Sequence, residues 1–343
     1  MKKIVSLLFG LFLVVCLIDG VLDIGSGIAG RLKGVIAGGT DGNATATRLA
    51  RIGGLPKRYV PGLGDVILPA AVPGVTIGPE GERLHRHLVA PEDARRRVLL
   101  LGASQSFGFS NDDDETLAAA LERQLPGTLV RNFSMPGHTI PANVMMLDAR
   151  LAAGEAYDRV IVVNGSVDLV RVCVLAARLP PPAATRPVIA EIARQLTSSG
   201  SRHRKDGLRQ DPCATADGRE TAATRVLEDL RGLLDYAQRR NVRVTFVLPP
   251  VPFGTPAEAE VVRDPAAVGA YATALGPALT AFRQKLAAAG LPDVLDLSEA
   301  FPSDGRGLFS DFYGHLSDAG NQLLARRIAE DLNRQLPPAP LPD

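Results

Sequence analysis

Tryptophan is absent from this chain of 343 residues, and aromatic residues make up only 5% of it. Surfaces that stack nucleic-acid bases are built from such rings, so none is expected here. Charge of one sign is lacking too. With 38 Lys and Arg against 37 Asp and Glu, the formal net charge is +1, which gives no electrostatic reason to expect nucleic acid or an acidic partner. No internal repeat is visible. Cysteines are scarce, three in all, and only Cys173 and Cys213 fall outside the N-terminal stretch.

What is present begins with Lys2 and Lys3 followed by the uncharged run "IVSLLFGLFLVVCLI" (4–18). A positive start before an apolar core marks an export segment. The run alone is short of the ~20 residues that span a bilayer, but "DGVLDIGSGIAG" continues it in mostly apolar residues. No small-x-small cleavage site follows, and valine before Cys16 does not suit lipoprotein processing. Residues 1–30 therefore read as an uncleaved anchor helix in the inner membrane, with the body on the periplasmic or extracellular side. A cleaved signal and a secreted body are the alternative. Export leaves two readings of Cys173 and Cys213: a disulfide, which an oxidising compartment permits, or two unrelated buried thiols.

Residues 31–95 are rich in glycine and proline and read as a stalk and irregular lead-in. Apolar strands are then expected at 97–102, 128–133, 159–165, 242–249 and 293–297, alternating with helical patterns at 115–125, 141–154, 224–240 and 320–336. Continuous apolar strands between helices predict a three-layer α/β/α domain over 96–336, with a parallel sheet of about five strands. Residues 170–220, proline-rich and then polar, interrupt the alternation as a long insertion, the kind of segment that forms a lid or flexible loop. The tail 337–343 reads as disordered.

Ligands of open parallel sheets bind beyond the carboxyl ends of the strands. Four stretches fall there: "GASQSFG" after the first strand, "NFSMPGHT" (132–139), "NGSVDL" (164–169) and "SDFYGHLSDAGNQLLA" (310–325). A serine on a glycine turn at a strand tip is exposed at that edge, and a histidine is the natural base for its proton near neutrality. Ser104 precedes its rival Ser106 on the turn. His138 is expected in a loop, and His85, His87 and His203 as solvated surface residues. The acidic run "NDDDE" (111–115) is expected to cap the following helix. No metal site and no cofactor are expected.

These four blocks, in this order, resemble the SGNH (GDSL-type) hydrolases: esterases, lipases and carbohydrate deacetylases with a flavodoxin-like fold. The resemblance covers about residues 97–335. Gly102, Ala103 and Ser104 match Gly-Asp-Ser. Asn132 and Gly137 match the second block. Gly165, Ser166, Val167 and Asp168 match Gly-x-Asn-Asp, and Asp311 with His315 matches the last. The resemblance implies Ser104 as nucleophile, His315 as base, Asp311 as its orienting partner, and the N–H groups of Ser104 and Gly137 as an oxyanion hole. It implies cleavage of carboxylic esters through an acyl-enzyme, on a small ester or an acetylated polysaccharide. O-acetyl transfer to a sugar and a non-catalytic glycan-binding module are the alternatives. Three departures stand out. Ala103 replaces the aspartate, and Val167 stands where the oxyanion asparagine is usual, leaving Asn164 or Ser166 to replace it. Asp311 and His315 are one residue further apart than in Asp-x-x-His, which calls for a bulge at Gly314.

Overall fold

The computed structural model describes residues 51–175, 212–253, 265–302, 307–311 and 313–335. The expected anchor over 1–30, the stalk up to residue 50, His203 and the tail lie outside them. Among the described residues no helix is long and apolar enough to cross a membrane. The chain divides after Gly54, and the unit beginning at Leu55 contains every strand of the described residues.

The lead-in forms two small antiparallel hairpins, β1 (Lys57–Val60) with β2 (Gly64–Ile67) and β3 (Ala70–Val72) with β4 (Val75–Ile77). Five parallel strands follow: β5 (Arg96–Gly102), β6 (Thr128–Asn132), β7 (Arg159–Val163), β8 (Val244–Leu248) and β9 (Val294–Asp296). Their order across the sheet is β6-β5-β7-β8-β9. All five were legible as apolar runs, each observed strand ending within two residues of the expected end.

Alternate residues of each strand serve opposite layers, as the period of two requires. Leu99, Leu101, Val160, Val162 and Phe246 join one core with α3 (Ile140–Ala152), α5 (Ala216–Arg239) and α6 (Pro265–Ala289). Val98, Leu100, Ile161, Val163 and Val247 join the other with α2 (Leu117–Gln124) and α7 (Asp318–Gln335). Both faces of β5 and β7 are thereby closed to water, and burying each such Leu or Val contributes ~1.5–3 kcal/mol. The result is the three-layer α/β/α architecture expected from the alternation.

Two elements differ from the sequence reading. Helix α5 starts at Ala216, eight residues before the expected 224 and inside the supposed insertion, because Thr215 caps it by accepting from the Gly218 N–H at 3.1 Å. Helix α6 was not anticipated; Gly276 and Pro277 interrupt its pattern. Cys173 and Cys213 are joined in a disulfide across 40 residues of sequence, both sulfurs within the core between α3, α5 and α6.

Candidate active site

The sheet order places a switch point between β5 and β7: the chain leaves β5 for β6 on one side and returns to β7 on the other. Crevices at such points, outside the carboxyl ends, are where open α/β sheets bind ligands. The register aligns those ends, pairing Gly102 with Val163 and Leu100 with Asn132. Ser104, the Gly137 loop and Asn164 therefore emerge on the same rim.

Gly102 has φ +148, and a Cβ there would lie 2.3 Å from both the Val163 carbonyl oxygen and Ser106 Oγ. Only glycine lets β5 end this close to β7 before the chain turns into the short helix α1 (Ser104–Phe107). Ser104 is the first residue of that helix and is partly exposed. Ser106, two positions on, is buried and donates to the Ala103 carbonyl at 3.2 Å. The serine at the rim is Ser104.

The stretches 308–311 and 313–317 close on each other, held by an antiparallel bridge between Phe309 and Leu316, by Ser310 N–H to the His315 carbonyl at 2.8 Å, and by Ser317 N–H to the Leu308 carbonyl at 3.0 Å. Gly314 has φ +89, so the bulge called for by the longer Asp-to-His interval lies at this residue. Asp311 accepts at Oδ1 from the N–H groups of Tyr313 (2.9 Å) and His315 (3.2 Å), which pins its carboxylate. Its Oδ2 lies 2.5 Å from His315 Nδ1, and His315 Nε2 lies 2.9 Å from Ser104 Oγ. A carboxylate can only accept, so Nδ1 carries the hydrogen and Nε2 presents a lone pair to the hydroxyl. Serine, imidazole and carboxylate thus form one relay across 211 positions of sequence.

Two residues that the sequence did not single out hold the imidazole. Phe109 stacks on it, ring centroids 5.0 Å apart. Gln105, buried next to the nucleophile, donates from Nε2 to the carbonyls of Gly314 (2.8 Å) and Pro250 (2.9 Å), tying the loop of His315 to the turn of Ser104. A lone glutamine or phenylalanine beside a serine has no pattern that would announce either role. The loop behind them is stitched to the same region: Ser110 Oγ donates to the Leu316 carbonyl, and Asn321 Nδ2 to Asn111 Oδ1 and the Glu115 carbonyl.

The N–H groups of Ser104 and Gly137 donate to no acceptor among the described residues. Gly137 is fixed from several sides: Arg171 Nη2 donates to its carbonyl at 3.0 Å, and Asn164 Nδ2 to the neighbouring His138 carbonyl at 3.0 Å. Asn164 is buried, and the structure gives it this bracing contact. Ser166 is buried too, and Val167 is half-buried in the first turn of α4 (Ser166–Val170). Asn132 donates to the Ser106 carbonyl at 2.9 Å and accepts from Ser134 N–H at 3.0 Å, shaping the second loop. Asp168 is fully buried; its two oxygens accept from Ile140 N–H (2.8 Å) and Gly165 N–H (3.1 Å), which caps α3 and closes the third-block turn. Burial pushes its carboxyl up to about 7 against those bonds.

His138 lies in the loop where it was expected, 2% exposed with neither ring nitrogen hydrogen-bonded, and burial beside Arg171 pushes it down to about 4, so it is neutral. Other expectations are corrected. His85 is buried and His87 half-buried, both against Glu122, because the lead-in folds onto α2 instead of into solvent. The acidic run caps only in part: Glu115 accepts from Asp112 N–H at 3.1 Å. Asp113 instead accepts from Thr76 N–H and Oγ1 and lies 3.1 Å from the buried Arg83, and Asp114 accepts from Arg86 N–H. The run clamps the lead-in to the domain.

No family model matches the sequence, and no curated protein matches it. Solved structures similar to it include a lipolytic protein of the G-D-S-L family from Desulfitobacterium hafniense, at 15% identity and TM-score 0.43, covering 68% of this chain and 98% of that one. Another is a G-D-S-L lipolytic protein from Veillonella parvula, at 13% identity and TM-score 0.42, covering 70% and 99%. A third is the acetyl xylan esterase AlAXEase, at 13% identity and TM-score 0.39, covering 69% and 99%. The chain's own residues carry the common pattern: four blocks on one rim of a parallel five-stranded sheet, bringing a serine, a histidine and an aspartate into one relay.

Proposed function

We propose that the chain is an SGNH-type serine hydrolase that cleaves carboxylic esters through an acyl-enzyme on Ser104. The observation that carries this is the relay itself, with Oγ 2.9 Å from Nε2 and Nδ1 2.5 Å from the carboxylate. His315 Nε2 takes the hydroxyl proton as Oγ attacks the ester carbonyl. Asp311 holds the ring in the tautomer this needs and stabilises the imidazolium. The N–H groups of Ser104 and Gly137 stand as donors to the oxyanion; each such donor typically contributes ~3–4 kcal/mol to the barrier reduction. Collapse expels the alcohol, which takes the proton from His315. Water then gives its proton to the same nitrogen, attacks the acyl carbon and releases the acid, restoring Ser104.

The resemblance to SGNH hydrolases supports small acyl groups, acetyl on an envelope polysaccharide among them, as substrates. The Cys173–Cys213 disulfide supports a body working in an oxidising compartment.

The test uses the full chain in detergent. A fluorophosphonate probe is expected to label Ser104, and nitrophenyl acetate turnover is expected to fall ~1,000-fold or more in Ser104→Ala. No labelling, with turnover equal to that variant, would favour a glycan-binding module and end the proposal.

A further inference from the structure

We propose that His85, His87 and Glu122 form a divalent transition-metal site, zinc being the best fit, which clips the lead-in segment to the hydrolase domain. Their ligand atoms lie within 4.8 Å of one another. Glu122 Oε1 is 3.1 Å from His85 Nε2 and 2.7 Å from His87 Nδ1. Tetrahedral zinc with bonds of ~2.0–2.1 Å sets its ligand atoms about 3.3 Å apart. The two oxygen–nitrogen separations lie within about 0.6 Å of that spacing, and a donor set of two imidazoles and one carboxylate is one that zinc takes.

Three features separate this cluster from ordinary hydrogen bonding. First, His85 Nε2 is buried and has no hydrogen-bond partner, although it sits 3.1 Å from the carboxylate. At that distance its hydrogen is not aimed at the oxygen, whereas a cation between the two would use its lone pair. Second, the carboxylate is fixed in position. Leu88 N–H donates to Oε2 at 3.0 Å and Val130 N–H to Oε1 at 2.8 Å, so Glu122 is held in place from both the lead-in and β6. Third, the His87 side chain is 28% exposed while the other two are closed to solvent, which leaves one side for entry and for a water or other fourth ligand.

The consequence is mechanical. His85 and His87 belong to the segment that also carries Arg83, whose guanidinium lies over the Phe107 ring of the nucleophile's helix at 5.3 Å and donates to the carbonyls of Gly74 and Asn111. A metal at Glu122 fixes that segment from α2, at a place that shares no residue with the serine relay.

The full chain in detergent, stripped with a chelator, is titrated with Zn²⁺ by calorimetry and with Co²⁺ by visible absorption, and its melting temperature is read with and without metal. One equivalent is expected to bind, with tetrahedral cobalt bands and a raised melting temperature. His87→Ala, at the half-exposed ligand, is expected to keep the fold and to weaken binding by more than the ~100-fold that outer-shell changes reach. His85→Ala is expected to do the same, while His315→Ala, which removes the other carboxylate-paired imidazole, leaves affinity unchanged. Absence of stoichiometric binding by the wild-type chain, or affinity that survives in both His85→Ala and His87→Ala, overturns the site. Loss of binding in His315→Ala alone also overturns it, by moving the metal to the serine relay.

Discussion

Replacing Gln105 with leucine tests whether the catalytic geometry is set by the loop beneath His315. The side chain is buried and its amide donates to two carbonyls, Gly314 at 2.8 Å and Pro250 at 2.9 Å. Leucine keeps the approximate volume and removes both donors, leaving two carbonyls that must find water or remain unpaired, at ~1–3 kcal/mol for each buried group. A loss of about 2–6 kcal/mol in stability is therefore expected, toward the lower end if water reaches the Gly314 carbonyl. The catalytic effect is separable. Gly314 immediately precedes His315, and releasing its carbonyl frees the loop to shift the imidazole relative to Ser104. A displacement near 1 Å is enough to cost ~100-fold in rate. Gln105→Leu is thus expected to lower kcat on nitrophenyl acetate by ~10–100-fold while KM changes little, since no substrate contact is removed. Chemical denaturation at the assay temperature shows whether the variant is still folded. A folded variant with wild-type kcat refutes the reasoning, because Phe109 stacking and the Asp311 contacts would then position the ring without the glutamine.

Two further outcomes are expected from groups around the site. Asp168 is held protonated up to about 7 in the native state, against an ordinary value of 3.8 when unfolded; between these the native state binds more protons, so stability is expected to fall by up to a few kcal/mol as pH rises from 4 to 7 and then level off. Asp168→Asn, which retains one acceptor for Ile140 or Gly165, is expected to flatten that slope in denaturant titrations, and a difference from wild type that is constant with pH would count against it. At Val167, substitution by asparagine restores the residue that the family resemblance implies; kcat on an acetate ester is expected to rise about tenfold or more, within the ~100–1,000-fold range of single oxyanion donors, whereas an unchanged rate shows that another group already fills that place.

Much of this architecture is written locally. Runs such as "RVLLLG" and "RVIVVNG" are apolar on both faces, and a strand can be apolar on both faces only between two layers of helices, so the sheet was legible before its partners were. The position of Ser104 followed from Gly102, since a strand cannot end against Val163 with a Cβ in the way. What was not legible depends on contacts between distant segments. Gln105 and Phe109 have their meaning only once the 308–317 loop arrives above them. His85 and His87, in a glycine- and proline-rich stretch, read as solvated because nothing nearby in sequence buries them; Glu122, on α2, does so. The long helix α6 was hidden by its composition, since Gly276 and Pro277 break the pattern that periodicity detects.

The same distinction explains how a triad with departures from the family pattern still closes. An aspartate at position 103 would have supported the turn; here Ala103 is buried and the turn is held by its surroundings, through the Asn132 amide on the Ser106 carbonyl and the Gln105 amide on Gly314 and Pro250. The extra residue between Asp311 and His315 is taken up at Gly314, whose positive φ lets the chain turn back so that one carboxylate reaches both the backbone N–H and the ring of His315. The alanine at 103 is offset by polar contacts from other segments and the longer Asp-to-His interval by the backbone at Gly314, and both keep the Ser104 turn and the His315 loop in register. Restraint from several independent segments is what a proton relay requires, because no single loop has to hold the geometry alone.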